Sequence, residues 1–235
     1  MNQDIIVMLE RMYDLFTGKW KNPLTAWDYM LEFIVTDYFG ALFFELDHQF
    51  EWLLEDQKFT KLLLYEYDSK LLRSDNDDHL GEFYFNQVIK KNEGIGNLIS
   101  MKKARSIVSE QLSETDQSIT ILDTEAKTGR LLLASHEIVP NGILFGVEGD
   151  LRLYRIAYAN LIIHDLKGYL LHANTSTHEL NISTPEGKHN WQYANKWSSH
   201  LDQPRPKNSH QNGQTELKTV QRNATFKDEK INIHT

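Results

Sequence analysis

Apolar residues recur at three- and four-residue spacings along the first part of the chain. Ile5, Leu9, Met12 and Phe16 make one such row, which predicts an amphipathic helix ending near Gly18. Asn22-Pro23 breaks the pattern. It resumes from Thr25 to Tyr38, and again from Ala41 to Leu64, where Phe44, His48 and Trp52 stand among leucines. The polar run Ser74-Asp-Asn-Asp-Asp-His79 offers N-cap side chains for a further helix through Gly81–Ile89. Lys90 to Gly96 reads as a loop, and Ser100 to Leu112 as another amphipathic helix.

The periodicity then changes. Ser118-Ile-Thr-Ile-Leu122 is a β-branched apolar run of the kind that forms a buried strand. Arg130 to Ile138 predicts a helix, Ile143–Val147 a second strand, Leu151 to His164 a second helix, and Tyr169–His172 a third strand. This alternation predicts βαβ units on a parallel sheet. Beyond about His200 the chain is almost wholly polar, with Pro204 and Pro206 among Asn, Gln, Lys and Ser. Too few apolar groups are present there to offset ordering entropy. The expected organisation is therefore a helical region over 1–75, an α/β region over 76–200, and a disordered tail over 201–235 that limited proteolysis removes first. No internal repeat is visible.

Composition narrows the function. The net charge of −8 argues against strong nonspecific DNA binding by this chain alone, although it leaves a local basic patch open. With no cysteine there is no disulfide framework and no thiolate metal site. The ten histidines lack metal-ligand spacing, so no metal is expected. The N-terminus carries early acids and no small-residue cleavage site. No apolar run approaches the roughly 20 residues that span a bilayer, and Ala41–Phe44 is far too short. A cytoplasmic protein without membrane partners is the expectation.

Candidate chemistry lies at the ends of the predicted strands. In Ile121-Leu-Asp-Thr-Glu-Ala-Lys-Thr-Gly-Arg130 a strand ends in an acid, a tight loop follows, and a helix begins. Nucleotide-like ligands sit at such a place in open α/β sheets, although an ordinary strand–turn–helix has the same outline. The second strand ends in Gly146-Val-Glu-Gly-Asp150. An acid there can accept both ribose hydroxyls, or simply favour a helix N-terminus. Leu171-His-Ala-Asn-Thr175 places Asn174 after the third strand, where a turn asparagine is also common.

Taken in order, these segments resemble the S-adenosylmethionine-dependent DNA adenine methyltransferases of restriction–modification systems. The family carries Asp-Pro-Ala-Cys-Gly-Thr-Gly in the first loop. This chain keeps Asp123, Thr128 and Gly129, and has Thr124, Glu125, Ala126 and Lys127 for the Pro, Ala, Cys and first Gly. Glu148 and Asp150 fit the family's Glu-x-Asp, and Ala157 and Asn160 fit its Ala-x-x-Asn. Upstream, Asp78-His-Leu-Gly-Glu-Phe-Tyr84 resembles the helix before the family's Phe-Thr-Pro loop, whose place Ile99-Ser-Met101 takes without the proline. The resemblance covers about Leu80 to Thr177 and is faint elsewhere. It implies a partial Rossmann-like methyltransferase sheet of about three strands after a helical N-terminal region. The implied ligand is S-adenosylmethionine, held weakly or not at all. The implied contacts are Asp123, Ala126, Thr128, Gly129, Glu148, Asp150 and Asn174. A side chain at Lys127 crowds the methionine part, and its charge opposes the sulfonium.

The family's chemistry depends on an Asp/Asn/Ser-Pro-Pro-Tyr/Phe motif that holds a flipped adenine. None of the five prolines, Pro23, Pro140, Pro185, Pro204 and Pro206, stands in such a motif, so no catalytic residue is assigned. Asn190-Trp-Gln-Tyr-Ala-Asn-Lys-Trp197 suits either packing on the sheet or stacking on bases. Three expectations remain. The chain is an impaired, truncated methyltransferase-like pseudoenzyme, or one half of a split enzyme whose partner supplies catalysis or specificity and contacts DNA. Alternatively it is a non-catalytic interaction subunit of a restriction–modification or mobile-element system. Without a fourth strand, Ile119 to Asp123 would form an exposed apolar edge, which implies self-association or a covering partner.

Overall fold

The computed structural model describes residues 2–39, 55–89, 98–112, 119–172, 217–220 and 233–234. They fall into two compact units: residues 1–97 with 162–164, and residues 98–161 with 165–235.

The first unit is helical. Its α1 (Gln3–Lys19) is capped by Asn2, whose Oδ1 accepts the Asp4 N–H at 3.1 Å. Ile5, Leu9, Met12 and Phe16 are buried together with Met8, as the periodicity requires. Pro23 opens α2 (Pro23–Phe39) at the position where a missing N–H costs nothing. Aspartates then cap three short helices in turn: Asp56 for α3 (Gln57–Glu66), Asp68 for α4 (Ser69–Leu72) and Asp78 for α5 (His79–Phe83). Of the helix expected over 41–64, residues 41–54 lie outside the described residues.

α5 runs directly into a π-helical turn, Tyr84–Val88. Fully buried Trp27 stacks on Phe83 at 6.0 Å and meets Tyr84 at 5.3 Å. Residues 79–89, which the sequence groups with the sheet, therefore pack in the helical unit. His79 is buried and its Nε2 lies 2.6 Å from Asp75 Oδ1.

The second unit is α/β. It contains α6 (Met101–Ser109), β1 (Thr120–Asp123), α7 (Arg130–Ile138), β2 (Ile143–Glu148), all but the last two residues of α8 (Leu151–Ile163), β3 (Gly168–His172), β4 (Leu217–Val220) and β5 (Ile233–His234). The strand order is β3-β2-β1-β4-β5. The first four strands are parallel, and β5 runs antiparallel to β4. This is a Rossmann-like arrangement of helices and parallel strands after a helical region. α6 and α7 are joined by a two-pronged ion pair, with Arg105 Nε 2.9 Å and Nη2 2.8 Å from the Glu137 carboxylate.

Two expectations are corrected here. β1 is not an edge: Thr120–Asp123 pairs with Ile143–Gly146 on one side and Leu217–Val220 on the other. The sheet therefore has five strands rather than three, and an unpaired β1 no longer argues for self-association. The tail contributes both additional strands, β4 and β5, through four and two residues. Thr219 and Val220 are β-branched and suit a parallel neighbour, but so short a run among polar residues leaves no readable periodicity. The rest of 201–235 lies outside the described residues. Among the described residues, no helix is long and apolar enough to cross a membrane.

Candidate functional site

β1 and β2 are adjacent and parallel, so their C-terminal residues, Asp123 and Glu148, open on the same side of the sheet. This is the side on which open α/β sheets take ligands. The loop 124–129 lies between β1 and α7. The Ala126 N–H donates to the Val147 carbonyl at 2.9 Å, and the Gly129 N–H donates to the Ala126 carbonyl at 2.7 Å. The loop is thereby folded onto the end of β2. Asp123 is 1% exposed, and its Oδ1 accepts the Glu125 N–H at 3.1 Å, which sets the first bend.

Two loop residues have a left-handed backbone: Lys127 at φ +52° and Gly129 at φ +87°. These are the two positions at which the resembling family carries glycine, and the turn explains why. A glycine adopts this backbone freely, whereas a side chain meets a penalty. Gly129 meets the demand, and Lys127 does not. Lys127→Gly is therefore expected to stabilise the chain by about 0.5–1 kcal/mol, the left-handed penalty less glycine's extra entropy. Chemical denaturation checks this, and a destabilised variant would show that the lysine side chain makes a compensating contact.

Glu148 holds the site together. Its Oε2 accepts the Lys127 N–H at 2.8 Å, and its Oε1 accepts the Asp150 N–H at 2.8 Å. One buried carboxylate thus fastens the loop after β1 to the loop after β2. Asp150 itself caps α8, with Oδ1 accepting from Arg152 N at 2.9 Å and Leu153 N at 3.0 Å. It serves the helix N-terminus, and its exposed position leaves it at the rim of the site.

Buried Thr128 presents its carbonyl to Asn160 Nδ2 at 2.8 Å. The Ala157 Cβ lies 3.5 Å from where a side chain on Gly129 would begin. The Ala-x-x-Asn of α8 therefore has a physical role: a small residue lets the helix approach the loop, and an amide anchors the loop's carbonyl. Sequence reasoning matched Asn160 to a pattern but gave it no role.

Arg130 was missed altogether. It is 3% exposed, and its Nη1 donates to the Ile99 carbonyl at 2.6 Å. That bond ties the start of α7 to the segment before α6. There Ser100 is the N-cap, accepting the Lys103 N–H at 3.2 Å. His172 was missed too. Its Nε2 lies 3.1 Å from the Gly149 carbonyl, and its ring sits 5.3 Å from Tyr154. Burial pushes the Tyr154 hydroxyl up to about 12, with Arg155 pulling weakly the other way, so it remains a neutral phenol and not a base. Asn174 lies outside the described residues, as does the aromatic segment 190–197. Among the described residues, no group of three or more His, Asp or Glu is arranged to hold a metal ion.

The residues present suit one part of S-adenosylmethionine better than another. A carboxylate has about four lone-pair sites. Glu148 uses two on backbone amides, which leaves acceptors for a ribose diol. The loop also carries Lys127 where the resembling family has a glycine.

No family model matches the chain, and no curated protein matches it in sequence. Among solved structures, it is similar to a protein from Listeria monocytogenes assigned to the class I S-adenosylmethionine-dependent methyltransferases. Identity there is 15%, the TM-score is 0.46, and the match covers 73% of this chain and 54% of that one. It is also similar to the methyltransferase subunit of a type I restriction–modification system from Streptococcus thermophilus. Identity is 21%, the TM-score 0.39, and coverage 52% of this chain and 28% of that one. The chain thus spans about half of the first protein's length and less of the second's.

Proposed function

We propose that the second unit is the cofactor-binding part of a DNA N6-adenine methyltransferase-like protein that does not catalyse transfer on its own. The observation that carries this reading is Glu148: an acid at the end of β2 that grips, at 2.8 Å, the backbone of the loop leaving β1. This reading assigns the ribose hydroxyls to Glu148 and the flank of the methionine part to Ala126, Thr128 and Gly129. Asp123 and Asp150 shape the loops from below and beside. Asn174 stands beside the adenine in the resembling family and takes that role here by proposal. When bound, S-adenosylmethionine supplies an electrophilic methyl group. The chain's own residues bind and orient it, but none forms the Pro-Pro-aromatic platform that would present an adenine. DNA is then met through a partner that supplies catalysis or specificity.

Titration calorimetry with S-adenosylmethionine tests the reading. The expected dissociation constant is micromolar or weaker, because the loop carries Lys127 where the resembling family has a glycine. Submicromolar binding would overturn the impairment, and no saturable binding would overturn the cofactor role. Methyl incorporation into adenine-containing DNA by the chain alone would overturn the non-catalytic part.

The alternative, an interaction subunit without cofactor, is favoured by the same carboxylate seen differently. Both Glu148 oxygens already serve backbone amides, so the loops hold their shape without a ligand. Stable capture of a partner together with no thermal shift from the cofactor would support it.

A further inference from the structure

We infer that Arg130 is a positioning residue: its guanidinium fastens the segment before α6 to the start of α7, so that the cofactor loop and the N-terminus of α6 respond to a ligand together. The inference rests on the cofactor-site reading above and adds to it a residue that acts through what it holds.

Two independent features single out Arg130. The first is burial. The residue is 3% exposed, and its Nη1 donates at 2.6 Å to the carbonyl of Ile99, 31 positions away in sequence. Taking a guanidinium out of water is costly unless its donors are used. A charge-assisted bond of this length holds its acceptor firmly. The second is placement. Arg130 is the first residue of α7, whose first turn contains no acid. A cation there opposes the helix dipole, which favours negative charge at that end. Neither feature serves α7 by itself, and both are accounted for by what the arginine holds.

What it holds adjoins the site at both ends. Gly129, the last residue of the cofactor loop and the N-cap of α7, immediately precedes Arg130. Ile99 immediately precedes Ser100, the cap of α6, whose Oγ accepts the Lys103 N–H at 3.2 Å and whose carbonyl accepts the Ala104 N–H at 2.9 Å. A continuous physical path therefore runs from Glu148 to the Lys127 amide, along the backbone to Arg130, and across to Ile99 and the first turn of α6. A second tie joins the same two helices about two turns further along α7. It is the ion pair of Arg105 and Glu137, whose side chains are 40% and 25% exposed. That pair holds α6 to α7 without adjoining the loop in sequence, so it separates a general structural effect from the proposed one.

Hydrogen exchange on the full chain, with and without saturating S-adenosylmethionine, tests this in the wild type, Arg130→Met, Arg130→Lys and Arg105→Met. In the wild type the ligand is expected to slow exchange of the Lys127 and Gly129 amides and, through the tie, of the Lys103 and Ala104 amides. In Arg130→Met the last two should exchange about tenfold faster without ligand, as one charge-assisted bond is lost, and should no longer respond to it. The loop amides should still respond, with binding several-fold weaker by calorimetry. Arg130→Lys keeps the charge and a donor and should recover part of the α6 response, and Arg105→Met should keep all of it. If Arg130→Met does not fold, Arg130→Lys decides: a reduced α6 response supports the inference, and an unchanged one overturns it. A wild-type chain in which the loop responds and α6 does not, or an Arg130→Met chain that keeps the full α6 response, would overturn the inference while leaving the cofactor site standing. So would an Arg105→Met chain that loses the α6 response as fully as Arg130→Met. No response anywhere in the wild type, with no saturable binding by calorimetry, would overturn the site itself and the inference with it.

Discussion

Glu148→Gln is expected to lower stability by about 3 kcal/mol and, on the function proposed above, to abolish measurable binding of S-adenosylmethionine. The estimate follows from what the carboxylate does. Two backbone donors, Lys127 N and Asp150 N, each point at one of its oxygens at 2.8 Å, and the residue is 5% exposed. A glutamine keeps the shape but has one acceptor oxygen. Its amide nitrogen carries hydrogens and must face one of the two N–H groups, donor against donor. One buried N–H then loses its partner, and the other loses charge assistance. Together these losses amount to a few kcal/mol. Urea denaturation measures the stability, and hydrogen exchange at the Lys127 and Asp150 amides localises the effect. A variant as stable as wild type, with both amides still protected, would show that the two loops are held by something other than this carboxylate.

The contrast with Asp150→Asn is informative. Asp150 also accepts two backbone amides, but it is exposed and sits at the start of a helix. Asparagine is itself a good N-cap, so this change should cost only a few tenths of a kcal/mol.

Much of this fold was legible because its signals are local. The row Ile5, Leu9, Met12, Phe16 needs only a helical repeat to be seen, and all four side chains are buried. The helix Arg130–Ile138 begins after a glycine and ends before a Val-Pro pair, and its bounds are those the pattern predicts. Asp123 and Glu148 were singled out because each follows an apolar strand pattern, and each is the last residue of its strand. What escaped depends on distant parts of the chain. β4 pairs with β1 across roughly a hundred intervening residues, and nothing in Leu217-Lys-Thr-Val220 announces that partner. Arg130 looks like a solvated charge at a helix start until the Ile99 carbonyl is brought to its guanidinium. The π-helical turn at Tyr84–Val88 begins where Phe83 and Tyr84 pack on Trp27, a contact that no spacing rule encodes. Glu148 was read as a ligand contact, while its double service to the two loops needed their backbone positions.

Gly146→Val is expected to cost about 3 kcal/mol, and Gly18→Ala to stabilise by about 0.5 kcal/mol, although both replace a glycine inside a regular element. Gly146 lies in β2 with Asp123 of β1 and Leu170 of β3 as its register partners. A Cβ placed on it would stand 2.4 Å from Leu170 Cδ1, 3.0 Å from Leu132 Cδ1 and 3.2 Å from Ala126 Cβ. Three elements thus close over one missing side chain: β3, α7 and the loop that forms the candidate site. The two leucine tips can rotate away from a single methyl, so Gly146→Ala should cost only about 1–2 kcal/mol, reduced by the entropy its unfolded chain loses. Valine adds two further carbons on a stiff χ1 and has no such escape. The remaining strain falls on Ala126, whose N–H is bonded to the neighbouring Val147 carbonyl at 2.9 Å, so the loop itself must lift. If the loop seats the proposed cofactor, Gly146→Val should lose ligand affinity as well as stability, whereas Gly146→Ala should keep most of both. Gly18 has nothing within 4 Å of the same ideal position, and there alanine gains helix propensity and restricts only the unfolded chain. Denaturation midpoints of the three variants check the order. If Gly146→Val is as stable as Gly18→Ala, then β2, α7 and the loop do not approach as closely as these distances state, and the seat of the candidate site is looser than described.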